Sequence, residues 1–301
     1  MINNKLLTNI YFGSELDKLD KGTRSTEHTL KQIDPKFGVL SDECWEEVRA
    51  IVKEFFKKKL VGKFGGPITA GDAFFIAAYL AAIKPRTVVE VGVCSGVSSA
   101  FILHAGHRLG LCRSRETFLH SMDLLRFHGP EQNKVGQVVE LNFATLMKYW
   151  KLSVEITTPQ VVLGAHALQQ EISECLPTLA FIDANHMHPW PTLDVLAISR
   201  ILVPGSWILM QDTQVMERWI ANCVERGVPS PKPCRGVNLV ASNWNGTKAI
   251  GWDMCYNMGA IKTHSDAAAQ QEFIRHSRMY PFEVGTAASS ECAQYLDALS
   301  R

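Results

Sequence analysis

The sequence lacks several features that would define its class at once. Its 301 residues include eight cysteines, but no Cys-x-x-Cys pair and no Cys/His spacing typical of a tetrahedral zinc site. It has no run of about 18 consecutive apolar residues, the length that a membrane span requires. The first ten residues contain no apolar segment of the kind found in secretory signals. We therefore expect reduced thiols in a cytoplasmic protein that does not interact with membranes.

An excess of charge of either sign is also missing. Lys and Arg number 31 against 30 Asp and Glu, for a formal net charge of +1. Binding to the phosphate backbone of nucleic acids normally needs a basic excess, so we do not expect a nucleic-acid partner. Hydrophobic residues make up 46% of the chain, enough to bury the core of one large domain or two modest ones.

The pattern of apolar residues predicts alternating helices and strands. Residues 1 to about 40 show no sustained period and are expected to form an irregular arm, followed by helices over 41–60 and from Thr69 to Pro85. The predicted strands cover residues 87–91, 118–123, 154–157, 179–183 and 207–212, and the predicted helices between them cover 97–107, 135–150 and 191–202. Such alternation is typical of an α/β fold with a doubly wound, Rossmann-like, mostly parallel sheet.

The last part of the chain carries a hairpin signal. Residues 237–243 and 248–256 flank Asn245-Gly246, a dipeptide favoured in tight hairpin turns, so we expect an antiparallel hairpin there. A final helix is expected over 266–276. The predicted division is an N-terminal arm and helical extension over residues 1–67 and one domain over residues 68–301.

Two groups of residues at the ends of predicted strands point to chemistry. The first is Glu90-Val-Gly92-Val-Cys-Ser-Gly96-Val-Ser98, in which two glycines let the backbone turn tightly before a helix N-terminus that can bind a carboxylate or phosphate. It is not the Gly-x-Gly-x-x-Gly of dinucleotide binding, which disfavours a nicotinamide dehydrogenase. The second comprises Asp183, His186, His188 and Asp212. Its two acids could hold a divalent cation and its histidine could take a proton, although acids and histidines at strand ends also serve as simple loop caps.

Over residues 68 to 215 the sequence resembles the class I S-adenosylmethionine-dependent methyltransferases, in particular the catechol, macrolide and sugar O-methyltransferases. The resemblance implies that S-adenosylmethionine is the cofactor and that its methionine part, ribose and adenine are contacted by Glu90, Gly92, Gly96, Ser98, Asp123, His166 and Asp183. It also implies O-methylation of a small natural product, sugar or phenol.

The same resemblance assigns the reaction to the second group. His186, together with Asp183, matches the catalytic position as general base. Apart from the resemblance, His188 is the second choice for the base, because it lies in the same predicted loop. Asp183 and Asp212 match the magnesium ligands of metal-dependent members, but Gln211 and Thr213 depart from the third ligand of those enzymes, which leaves magnesium dependence open. The alternative function is a protein of this fold that binds S-adenosylmethionine without methyl transfer or uses it for another reaction. Whether the chain forms a homo-oligomer is also open.

Overall fold

The computed structural model describes residues 23–62, 68–114, 116–164, 167–229, 234–250, 258–264 and 266–300. A seven-stranded sheet runs through it. The strands, which include a separate two-stranded ribbon, are β1 Val88–Val91, β2 Leu119–Asp123, β3 Phe127–His128, β4 Asn133–Lys134, β5 Trp150–Val154, β6 Leu179–Ile182, β7 Trp207–Met210, β8 Lys248–Ala249 and β9 Gly259–Lys262.

The order of strands in the main sheet is β5-β2-β1-β6-β7-β9-β8. The first five pair in parallel, whereas β9 is antiparallel to both β7 and β8. All four residues of β1 are buried, as expected for a parallel strand covered on both faces. The predicted doubly wound sheet with an antiparallel hairpin is therefore confirmed.

Helices pack on both faces of this sheet. They are α1 (residues 23–33), α2 Pro35–Gly38, α3 Asp42–Lys57, α4 Ala70–Ile83, α5 Val97–Arg108, α6 Gln137–Asn142, α7 Thr158–Leu163, α8 Ala167–Glu174, α9 Trp190–Ser199, α10 Val215–Glu225, α11 Gly236–Asn243, α12 Ala267–Ser277 and α13 Thr286–Leu299. One hydrophobic core includes residues of α3, α4 and α5, and a second includes residues of α9, α11, α12 and α13.

The beginning of α4 matters for the site because it brings an acidic side chain to the sheet. The side chain of Thr69 accepts a hydrogen bond from the backbone N–H of Asp72, while the Asp72 carboxylate accepts one from the Thr69 N–H. This reciprocal cap satisfies two of the backbone donors that a helix start leaves unpaired. It confirms the predicted helix start and fixes the Asp72 side chain.

Several predicted elements are wrong in extent. The expected irregular arm contains α1 and α2 in its described part. The predicted helix over 135–150 is split into α6 and a 3₁₀ helix, Ala144–Tyr149. The predicted strand over 154–157 lies too late, because Thr157 caps α7 and Pro159 follows in the first turn of that helix.

The C-terminal prediction is also corrected. Residues 237–243 form α11 rather than a strand, because Val237, Val240 and Ala241 are buried with the i, i+3, i+4 spacing of a helix. The hairpin therefore consists of β8 and β9, and Asn245-Gly246 precedes it. Of the predicted strand 248–256, residues 251–257 lie outside the described residues. The helix predicted over 266–276 is confirmed as α12, but α13 follows it.

No helix in the described ranges is both long enough and apolar enough to cross a membrane.

The extension and the sheet share a core, which predicts that they unfold together. Phe55 of α3 is 1% exposed, and its ring lies 5.2 Å from that of Phe101 and 5.7 Å from that of Phe143. We expect Phe55→Ala to lower the free energy of unfolding by about 3–5 kcal/mol, measured by urea denaturation with circular dichroism, in a single transition. Val39→Ala, at a position 83% exposed, is the control. Separate transitions for residues 1–67 and 68–301 would contradict the shared core.

Candidate active site

A cavity of about 370 Å³ opens at the carboxyl ends of the parallel strands. It lies where the chain order reverses between β1 and β6, the place where ligands bind in doubly wound sheets. Its walls combine apolar side chains with three carboxylates. The lining residues include Val91–Cys94, Met122–Leu125, His128, Ile156–Thr158, Asp183–Asn185, Trp190 and Asp194.

The glycine turn, residues 92–96, contributes Gly92, Val93 and Cys94 to one wall of this cavity, whereas Gly96 does not line it. Gly92 and Gly96 have φ values of 85° and 87°, a region that favours glycine. A Cβ added to Gly92 would lie 1.9 Å from the backbone oxygen of Asp183. The absence of a side chain therefore lets the turn pack directly against the end of β6.

Beneath the turn, Glu90 is fully buried in a network of hydroxyl groups. Ser98 and Ser99 donate hydrogen bonds to its two carboxylate oxygens at 2.7 and 2.6 Å, and Ser121 donates a third at 2.5 Å. Burial raises the pKa of the Glu90 carboxyl to about 7, although the serine hydrogen bonds oppose this shift. Glu90 and Ser98 thus support the turn from below, and neither lines the cavity.

Asp123, at the end of β2, faces the cavity and also supports the turn. Its Oδ2 accepts hydrogen bonds from the N–H groups of Val93 and Cys94 at 2.8 and 3.0 Å, and its Oδ1 accepts one from Leu125 at 2.8 Å. A carboxylate has about four acceptor positions, so one remains for a ligand. His166, the predicted adenine contact, lies outside the described residues.

His186 lies between two carboxylates at the edge of the cavity, an arrangement that we call the His186 cluster. Its Nε2 is 3.2 Å from Asp183 Oδ1, and its Nδ1 is 3.4 Å from Asp212 Oδ2. Burial alone would lower the pKa of His186, but the hydrogen bond to Asp183 and the charges of both acids outweigh burial and raise it. Burial raises the pKa of Asp212, whose φ of 61° lies in the left-handed region.

The sequence did not indicate a third acid near this cluster. Asp72 is buried, and its Oδ2 accepts a hydrogen bond from Gln211 Nε2 at 3.3 Å. Burial, together with the nearby charges of Asp212 and Asp183, raises the pKa of Asp72 to about 7. The only sequence signal was the helix cap at Thr69, which gives no information about the sheet edge that the helix reaches.

His188 takes no part in the cluster. Its side chain is fully buried, and its ring packs against Phe282 at 5.5 Å and Tyr280 at 6.4 Å between centroids. Burial lowers its pKa. The second choice for the base is therefore a core side chain in this structure.

Magnesium at Asp183 and Asp212 stays a prediction. The donors are hard oxygens suited to this ion, but the His186 imidazole lies between them where a shared cation would sit. Among the residues described, no three His, Cys, Asp or Glu side chains form a group that could hold a metal ion. With the imidazole in this position the two carboxylates do not form a shared cation site, and we derive no step through a metal.

Residues 89–213 match the model of a methyltransferase domain family. This segment holds the glycine turn, Asp123 and the complete His186 cluster. The match agrees with the methyltransferase resemblance of the sequence over this segment. No curated protein sequence matches the chain.

Solved structures of similar fold are distant in sequence. A cofactor-bound protein from MTB, Rv0187, is 14% identical with a TM-score of 0.44, and the match covers 76% of this chain and 93% of that chain. An O-methyltransferase from Bacillus cereus in complex with SAH is 13% identical with a TM-score of 0.41, covering 81% and 100%. TomG, an O-methyltransferase from Streptomyces achromogenes involved in tomaymycin synthesis, is 16% identical with a TM-score of 0.37, covering 75% and 92%.

The raised pKa of Glu90 predicts a pH dependence of stability. The folded state holds a proton at Glu90 up to about pH 7, whereas the ordinary value is 4.5. The contribution of Glu90 to the free energy of unfolding is therefore fully present below about pH 4.5 and is lost as the pH rises through about 7. The free energy of unfolding falls by no more than about 1.4 kcal/mol per pH unit over this range. We expect Glu90→Gln to flatten this fall in urea-denaturation measurements from about pH 5 to 7.5. Glu174→Gln, at an exposed position, should leave it unchanged, and an equal slope in Glu90→Gln and wild type would contradict the assignment.

The geometry of the His186 cluster also predicts a competition. The imidazole and a cation would use the same two carboxylates, so we expect His186→Ala to bind Mg²⁺ at least ~10-fold more tightly than wild type. This magnitude is reasonable because two charges about 4 Å apart near a protein surface interact by about 4 kcal/mol. Calorimetric titration with MgCl₂ measures this, and adding Asp212→Asn should reverse the gain. Equal affinity in His186→Ala and wild type would show that the imidazole does not occupy the cation position.

Proposed function

We propose that the protein transfers a methyl group from S-adenosylmethionine to an oxygen atom of a small-molecule acceptor, with His186 as the general base. The observation that carries this proposal is an acidic cavity beside the glycine turn, bordered by the His186 cluster. The resemblance of the sequence favours a natural product, a sugar or a phenol as the acceptor.

The charge of the cavity supports this cofactor over a dinucleotide. Asp123, Asp183 and Asp194 line the cavity, and its lining residues include no Lys or Arg among those described. Carboxylates attract the cationic sulfonium and ammonium groups of S-adenosylmethionine and repel the pyrophosphate of a nicotinamide dinucleotide. The volume is also within the range of small-molecule sites, about 300–1,000 Å³.

The cavity offers suitable groups for two parts of the cofactor. The remaining acceptor position of Asp123 suits one ribose hydroxyl, and the apolar side chains of Leu124, Ile156 and Trp190 can contact adenine. When bound, the cofactor supplies a methyl group on a cationic sulfur that is already a good leaving group.

The protein then has to position the acceptor and remove its proton. A neutral imidazole has one N–H and one lone pair, so His186 can donate to one carboxylate while its other nitrogen accepts the proton. We assign the donation to Asp183, which has the shorter contact, and the proton acceptance to Nδ1, on the side of Asp212. A pKa raised above 6.5 makes this base stronger than an ordinary histidine.

The test separates cofactor binding from methyl transfer. We expect S-adenosylhomocysteine to bind wild type and His186→Ala with similar micromolar affinity in calorimetry, because His186 does not line the cavity. With phenolic, sugar and macrolide acceptors, we expect His186→Ala to lose turnover by ~10²-fold or more. His28→Ala, at an exposed histidine of α1, should retain both activities.

Two results would contradict the proposal in different ways. If S-adenosylhomocysteine does not bind, the cofactor is wrong. If it binds but no methyl group is transferred to any acceptor, the protein uses the bound cofactor for another purpose, which is the alternative function. Unchanged turnover in His186→Ala would reject only the assignment of His186 as the base and would leave the cofactor and the reaction in place.

A further inference from the structure

We propose that Glu283 is a positioning residue for His186, because its carboxylate holds the loop that carries the proposed base. Glu283 lies between α12 and α13, outside residues 89–213, the segment that matches the methyltransferase family. The inference rests on the proposed function. The loop concerned, residues 183–189, connects β6 to α9, and we call it the His186 loop.

The Glu283 carboxylate joins this loop to a second segment of backbone. Its Oε2 accepts a hydrogen bond from the His188 N–H at 2.7 Å, and its two oxygens accept from the Arg235 N–H at 3.0 and 3.1 Å. The Glu283 N–H in turn donates to the His188 carbonyl at 2.8 Å. His188 is therefore held at both of its backbone groups by one residue.

The second backbone segment that Glu283 contacts, which begins at Arg235, also makes a hydrogen bond to His186 itself. The N–H of Gly236, the first residue of α11, donates to the His186 carbonyl at 2.9 Å. A Cβ on Gly236 would lie 2.6 Å from this oxygen and 2.7 Å from the His188 nitrogen. Because Glu283 fixes Arg235, the residue before Gly236, it controls the backbone of His186 from two directions.

The loop has little local structure that could replace this hold. Within it, the Met187 N–H donates to the Asn185 side chain at 3.0 Å, and the Trp190 N–H donates to the Met187 carbonyl at 2.9 Å. These contacts join neighbours in sequence and do not fix the loop relative to Asp212. A displacement of about 1 Å at a reacting group can lower turnover by ~10²-fold, so the contacts to Glu283 set the geometry of the base.

Glu283 does not line the cavity, which separates its effect from cofactor binding. Glu283→Ala should lower kcat by ~10-fold or more while the affinity for S-adenosylhomocysteine and the KM for S-adenosylmethionine change less than about twofold. Glu283→Gln keeps one oxygen that can accept from His188, so its kcat should lie between wild type and Glu283→Ala. Glu291→Gln is the matched control, since Glu291 accepts a hydrogen bond from Tyr295 of the same helix.

Amide hydrogen exchange gives a readout that does not depend on activity. In Glu283→Ala, exchange at His188 and Arg235 should rise by ~10-fold or more, because each N–H loses its acceptor, while exchange in β1 stays at the wild-type rate. Faster exchange throughout the sheet would show a general loss of stability and overturn the positioning role. Unchanged exchange at His188 and Arg235 would also overturn it, as would faster exchange there with an unchanged kcat.

Failure of the proposed function is distinguishable from failure of this inference. If wild type binds no S-adenosylhomocysteine or transfers no methyl group, the proposed function is wrong whatever Glu283 does. If wild type is active and Glu283→Ala lowers kcat and cofactor affinity together, Glu283 acts on the whole site and not on His186.

Discussion

The backbone contact between Gly92 and Asp183 is the constraint on which the rest of the site depends. It joins the ends of β1 and β6 so closely that no side chain fits between them. As a result, Asp183 belongs to two places at once: it lines the cavity and contacts His186. The carboxylate that would face a cofactor and the imidazole that would remove a proton thereby lie 3.2 Å apart.

Three buried acids lie around this contact. In the described part of the chain, the hydrogen bonds to these acids come from hydroxyl, amide and backbone N–H groups rather than from basic side chains. Glu90 is bonded by serine hydroxyls, Asp194 by Thr158 at 2.5 Å, and Asp72 by Thr69 and Gln211. Burial raises the pKa of all three to about 7. Such groups carry less charge near neutral pH than exposed acids do. Asp194, which lines the cavity, therefore contributes less negative charge there than an exposed aspartate would.

The sequence predicted the elements in which local signals and tertiary contacts agree. Thr69 and Asp72 cap a helix, and the buried run before Gly92 forms β1, as their patterns indicate. The prediction was wrong for residues 237–243, where a short β-branched run next to Asn-Gly favoured a strand but the burial of every third or fourth residue selects a helix. At the site, strand ends correctly brought Asp183, His186 and Asp212 together. Asp72, Glu283 and the burial of His188 could not be predicted, because each depends on which distant segment packs against the sheet edge.

The wide separation of these residues along the chain has a consequence for synthesis. The His186 cluster is encoded well before Glu283 and Gly236, and the acid at the start of α4 is encoded well before the cluster. During translation, the strands that carry the glycine turn and His186 leave the ribosome before the segment that holds the His186 loop exists. Contacts between such distant residues form late and slowly in folding. The contacts that hold the His186 loop are therefore among the last that the nascent chain can form.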